Sequence, residues 1–211
     1  MYDWIKKKMM SSLLFPLFLL PLYLRLVRSQ TTMHYADMNP AEKIIVSSKE
    51  GNINGIREAI TSGVNVDLKS LDYGMTALHY VANGGYTACA KYLVEIGSAD
   101  MDLKDNDGQT ALMLASTRQA SVEVAKLLIT LGADIDLTDN NGMTALMWAT
   151  THRVEKVARA LLQNKGSQEI IASDGQNALQ KAEQRRSDGP LGDAIQNMLK
   201  YDVGYFSMFN L

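Results

Sequence analysis

Between about residues 41 and 202, apolar side chains fall into short runs at three- and four-residue spacing, each closed by a polar loop containing glycine. The plainest stretch runs from Asp105 to Thr138. Gly108 follows two polar residues and can supply the positive φ of a tight turn. Thr110 is placed to cap a helix beginning at Ala111, whose Leu112, Ala115 and Ser116 share one side. The run SVEVAKLLITLG predicts a second helix, with Val122, Ala125, Leu128 and Ile129 on its apolar face and Gly132 as its C-terminal stop. ADIDLTD is too short and polar for a buried strand and reads as a turn into the next unit.

The layout repeats. DNDGQTALMLA at Asp105 returns as DNNGMTALMWA at Asp139, with echoes in YGMTALHYVA at Tyr73 and DGQNALQKA at Asp174. Glycines 74, 108, 142 and 175 are spaced 34, 34 and 33 apart. A second motif runs in phase, as SGVNVDL, GSADMDL and GADIDLT from Ser62, Gly97 and Gly132. Two short helices and a turn cannot bury their own apolar face, so units of this length must stack. The pattern predicts an all-α solenoid.

These residues resemble the ankyrin repeat, whose turn, Gly, Thr-Pro-Leu-His, short helix, longer helix and Gly-Ala-Asp recur in order. The matching segments are GMTALHYVANGGYTACAKYLVEIGSAD, GQTALMLA with VEVAKLLITLGAD, and GMTALMWA with VEKVARALL, and the likeness extends from about Asn39 to Asp202. Ala77, Ala111 and Ala145 replace the usual Pro, and Ala is a strong helix former in that first turn. His is kept only at His79, Met113 and Met147 stand in the other copies, and Leu71 and Ala172 occupy the expected turn-Asp position. The resemblance implies about five stacked helix pairs linked by β-turn loops. Capping units fall at about 41–70 and 172–202, around regular units at 71–104, 105–138 and 139–171.

The resemblance also implies a non-enzymatic module that grips a protein partner through turn tips and the ends of the first helices, which line a concave face. Carried over position by position, these are Asp72, Tyr73, Met75, Asn83 and Gly84. Asn106, Asp107, Gln109, Thr117 and Arg118 follow in the next unit, then Asn140, Asn141, Met143, Thr151 and His152. Tyr, Met and Arg are the side-chain types enriched at interface cores. The partner is an unidentified protein, and the chain is expected to be a monomer.

The N-terminus departs from the repeats. Three lysines in MYDWIKKKMMSS precede Leu13–Leu24, twelve residues with no polar group beyond a Tyr hydroxyl. That run is too short to span a bilayer comfortably. A basic stretch followed by a short apolar one is the layout of a secretory signal, with cleavage after Ser29 and a secreted or periplasmic destination. Three alternatives stay open: an uncleaved anchor touching membrane through residues 5–28, a periplasmic or membrane-held accessory that protects or regulates one enzyme, and a cytoplasmic start at Met33 or Met38. Residues 30–40 read as linker, and 203–211, VGYFSMFNL, as an apolar tail that packs on the last helix or contacts a partner.

Composition narrows the chemistry. The 211 residues carry a formal charge of −2 and show no basic stripe, which argues against nucleic acid. One cysteine excludes an internal disulfide framework and a cysteine zinc site. Asp100, Asp102, Asp105 and Asp107 crowd one loop and invite a metal-dependent hydrolase reading. With Gly108 at the sixth position of a calcium loop, however, positions 1 and 12 become Leu103 and Leu114, so the ligand pattern fails and turn capping is the better account. His34, His79 and His152 share no ligand spacing, and no nucleophile–base pair or phosphate-cradling loop is present. Cys89 reads as a small buried hydrophobe. No catalytic residue, metal or cofactor is expected.

Overall fold

A computed structural model describes residues 38–184 together with Asn197 and Leu199. The signal-like segment, most of the linker, most of the second helix of the last unit and the apolar tail lie outside the described residues. The chain divides into two compact units, Met1–Asn39 and Pro40–Leu211, and the repeats belong to the second.

Among the described residues there are helices and turns and no strand. Helix α1 (Pro40–Glu50) and α2 (Ile53–Thr61) form the first pair, α3 (Ala77–Gly84) and α4 (Thr87–Glu95) the second. Helix α5 (Ala111–Ala115) and α6 (Val122–Leu131) form the third, joined through a 3₁₀ turn at Gln119–Ser121, and α7 (Ala145–Thr151) and α8 (Glu155–Gln163) the fourth. Helix α9 (Ala178–Gln184) opens the last unit. Pro40, read as linker, is instead the first residue of α1, where a missing N–H costs nothing.

The helices pack in two rows. First helices stack α1 on α3, α3 on α5, α5 on α7 and α7 on α9; second helices stack α2 on α4, α4 on α6 and α6 on α8. The expected apolar faces are the ones buried. Leu78, Leu112 and Leu146, each 34 residues from the next, are all about 1% exposed. Val122, Ala125, Leu128 and Ile129 of α6 are buried, as is Cys89. Truncating one of the three leucines to Ala should cost about 2–5 kcal/mol, because a cavity between two units cannot collapse without moving both.

The first helices beginning at Ala111 and Ala145 start the same way. Thr110 Oγ1 accepts from Met113 N at 3.4 Å and Thr144 Oγ1 from Met147 N at 3.3 Å. In the first regular unit His79 enlarges the cap. Its Nδ1 accepts from Thr76 N at 3.1 Å, so the proton resides on Nε2, which donates to Gln109 O of the next unit at 3.0 Å. Met113 has only its sulfur to offer, accepting from Thr110 N at 3.5 Å. Burial holds His79 below the usual histidine pKa, partly offset by the bond to Gln109 O.

The loops stack through their own ladders. Asn106 N donates to Tyr73 O (3.0 Å), Asn140 N to Asp107 O (3.1 Å) and Ser173 N to Asn141 O (2.8 Å). A parallel ladder joins the other turns, with Asp100 N on Asp67 Oδ1, Asp134 N on Asp102 Oδ1 and Ser167 N on Asp136 Oδ1 at 3.1, 2.9 and 2.7 Å. Lysines add a third: Lys69 Nζ reaches Lys104 O and Lys104 Nζ reaches Thr138 O, both at 2.6 Å. The turns therefore approach so closely that Gly108 (φ +77°) has no room for a side chain. A Cβ there would lie 2.5 Å from Asn140 Oδ1 and 2.7 Å from Asn140 N.

Two predictions follow from these contacts. Gly108→Ala should destabilise by about 2–4 kcal/mol, strain plus collision, whereas Gly132→Ala, at φ +93° with nothing within 4 Å of a new Cβ, should cost only about 1 kcal/mol of strain. Urea unfolding of both variants is the check. For His79, the depressed pKa means the unfolded chain takes up the proton first. The stability it supplies is therefore present above the unfolded value of about 6.5 and is lost as pH falls below it. His79→Met should be less stable than the parent at pH 8, and the gap should narrow towards pH 5 in parallel denaturation curves.

Candidate functional site

The residues singled out lie at the turn tips and first-helix ends of successive units. Each tip is built by its own side chains. Asp105 Oδ1 accepts from Asp107 N and Gln109 N, both at 2.9 Å, and Asp139 Oδ1 from Asn141 N (2.8 Å) and Met143 N (2.9 Å). The first regular tip differs from expectation. Ser70, not Leu71, closes it: Ser70 N donates to Met75 O at 2.8 Å and Ser70 Oγ accepts from Met75 N at 3.2 Å. The tip is thereby one residue longer, and Leu71 is an extra residue standing fully exposed. In the last unit Ala172 keeps the backbone turn, with Ala172 N on Gln176 O at 2.9 Å, but has no side-chain acceptor.

Of the expected face, Asp72, Tyr73, Asn106, Asp107, Asn140 and Asn141 are exposed at the tips, and Gly84, Arg118 and His152 at the helix ends. Met75, Asn83, Gln109, Thr117 and Thr151 are half-buried between them. Met143 is a correction. It is only 9% exposed and belongs to the core, with its amide held by Asp139 Oδ1 at 2.9 Å. Asn140 is committed in part to structure, its Nδ2 donating to Asn106 O at 3.0 Å.

A row between tips and helix ends was not singled out from the sequence. Trp148 Nε1 donates to Asp139 Oδ2 at 3.1 Å, and its ring lies 5.4 Å from that of His152, whose Nδ1 sits 3.1 Å from Trp148 O. One half-buried indole thus ties a tip to a helix end. Tyr80 OH does the equivalent with Ser70 Oγ at 3.0 Å, and Lys181 Nζ with Asp174 Oδ2 at 2.6 Å; Leu114 stands at the same place in the third helix pair. Tyr80, Leu114, Trp148 and Lys181 recur at the period of the glycines, so superposing the repeats would have marked the position. The Lys181 hydrogen bond is the largest influence lowering the Asp174 pKa.

The remaining candidates for chemistry are structural. Asp100 Oδ1 accepts from Asp102 N at 2.9 Å, Asp102 Oδ1 bonds the next turn, and Asp105 holds its own tip, so three of the four crowded carboxylates serve backbone amides. Among the described residues no group of three or more His, Cys, Asp or Glu is arranged to hold a metal ion. Burial raises the Cys89 pKa, which disfavours the thiolate, and its thiol donates to Gly51 O at 3.4 Å. Among the described residues no helix is long and apolar enough to cross a membrane.

Comparison with known proteins accords with this architecture. A family model described as ankyrin repeats (3 copies) matches residues 44–139 and 116–189. Alpha-latrotoxin-Lg1a of Latrodectus geometricus is 31% identical over 86 residues, 38% of this chain and 6% of the toxin. Ankyrin repeat and KH domain-containing protein mask-1 of Caenorhabditis elegans is 33% identical over 86 residues, 41% of this chain and 3% of that protein. A putative ankyrin repeat protein of Acanthamoeba polyphaga mimivirus is 31% identical over 80 residues, 37% of this chain and 11% of its own length. The chain thus spans a small part of each of these relatives. With the family match extending over more than half of its residues, the chain belongs to the ankyrin repeat family, whose members are generally non-enzymatic protein–protein interaction modules.

Proposed function

We propose that the chain binds one partner protein through the face formed by its turn tips, the half-buried Leu114 and Trp148 and the ends of its first helices, and that it does so after export. The observation that carries the reading is the way this face is held. Exposed tips are locked to one another at 2.8–3.1 Å by backbone ladders, and the indole of Trp148 bonds Asp139 through Nε1 and lies beside the His152 ring. A surface ordered before docking loses little conformational entropy on binding, so modest contacts suffice for affinity. The mixture of Trp, Tyr and Arg with Asn and Asp is that of an interface centre within a polar rim. Export rests on the basic and apolar N-terminal segment alone. The accessory reading, one enzyme protected or regulated in the periplasm or at a membrane, uses the same face.

Two measurements test this. Arg118→Ala combined with His152→Ala, both exposed, should cost about 1 kcal/mol of stability at most, from the lost His152–Trp148 contact, while weakening partner capture about tenfold or more; unchanged capture would move the binding site elsewhere. Intact mass of the full chain after fractionation should show loss of the residues up to Ser29 and recovery outside the cytoplasm. A start at Met33 or Met38 in the cytosol would remove export.

A further inference from the structure

The first regular tip is unlike the other three. Directly before the tip glycine the later units carry Asp107, Asn141 and Asp174, whereas this one carries Tyr73, 62% exposed, and adds Leu71 at 100%. Two of the four exposed large hydrophobic residues among those described therefore share one short loop. The loop is not slack. Ser70 N bonds Met75 O, Gly74 N bonds Ser70 O at 3.0 Å, Ser70 Oγ takes Tyr80 OH, and Tyr73 O is held by Asn106 N. The extra residue is built into a fixed tip that presents both side chains outwards.

The loop stretches of this unit and the next carry one-sided charge. Residues 64–75 and 98–109 hold six carboxylates, at Asp67, Asp72, Asp100, Asp102, Asp105 and Asp107, against two ammoniums. Both of those, Lys69 and Lys104, bond backbone carbonyls at 2.6 Å and keep their charge, so six carboxylates less two ammoniums leave a net charge of −4 over these stretches. A partner that covers Leu71 and Tyr73 must pass beside this field, which attracts cations and repels an acidic surface.

We propose that the Leu71–Tyr73 tip is an anchor for a basic protein segment carrying an apolar residue, the apolar group covering Leu71 and Tyr73 while its lysines or arginines lie against Asp72 and Asp107. The proposal rests on the binding reading above and names the chemistry of that partner at one end of the same face. A rigid apolar tip supplies contact area at little entropic cost, and the carboxylates supply orientation and rate of encounter.

The test uses the full chain and a library of short random peptides displayed on phage, followed by fluorescence polarisation of the recovered sequences. Recovered peptides should be enriched in Lys and Arg around an apolar residue. Their affinity should fall about tenfold in the Leu71→Ser/Tyr73→Ser variant and should weaken as salt rises from about 0.1 to 0.5 M. Peptides with no basic bias, or binding the double variant as tightly as the parent, would overturn the anchor. If those peptides were lost in the Arg118→Ala/His152→Ala variant, the wider binding face would still stand. A selection that recovers nothing counts against both. Self-association of the parent that disappears in the double variant would also overturn it, since the tip would then serve a second copy of the chain.

Discussion

The contact on which the rest depends is the approach of one loop to the next. Each tip offers a carbonyl to the amide of the following unit, at Tyr73, Asp107 and Asn141, and a second ladder of Asp carboxylates does the same on the other turns. These bonds bring the loops within about 3 Å of one another, and at Gly74 and Gly108 only a residue without a side chain can sit at that crossing. The 34-residue recurrence of glycine is thus a statement about the neighbouring unit as much as about the local turn. Since no unit could bury its helices alone, the ladders set the spacing at which the helix rows close on Leu78, Leu112 and Leu146.

The units are equivalent in backbone and unequal in detail. His79 is the one copy in which a first-turn side chain both caps its own helix and bonds the next unit, and where Met113 replaces it the link to the next carbonyl is given up for a weak sulfur acceptor. Conversely, the Trp148 unit has a tie from tip to helix end that Leu114, with no hydrogen-bond donor in its side chain, cannot reproduce. Stability is therefore distributed among different interactions at equivalent places, while the functional face varies where those interactions leave side chains exposed.

Much of this was legible in the chain itself, because a period shared by glycines, Thr caps and apolar spacing follows from backbone geometry that every copy must satisfy. Helix boundaries, buried faces and the caps at Thr110 and Thr144 are of that kind. What sequence reasoning missed depends on side chains reaching across units. Counting from the glycine put Leu71 in the Asp position, but the hydroxyl of Ser70, one residue earlier, is the group that can accept the tip amide. The family resemblance carries Met143 onto the binding face, but its side chain is buried, which position in the repeat alone does not reveal. The Lys69 and Lys104 ladder has no signature in periodicity, since surface lysines at such spacing are ordinarily solvated.

A binding face made of loops is useful only if the loops keep their shape without a partner, and the ladders are the reason these should. Native-state hydrogen exchange measures that directly at the amides of Asn106, Asn140 and Ser173, which lie on exposed tips yet donate between units. Protection approaching that of the helical core amides is the predicted result, because opening a tip would then require separating neighbouring units. Exchange near the free-peptide rate while the helices stay protected would contradict the account, leaving loose fingers on a rigid core.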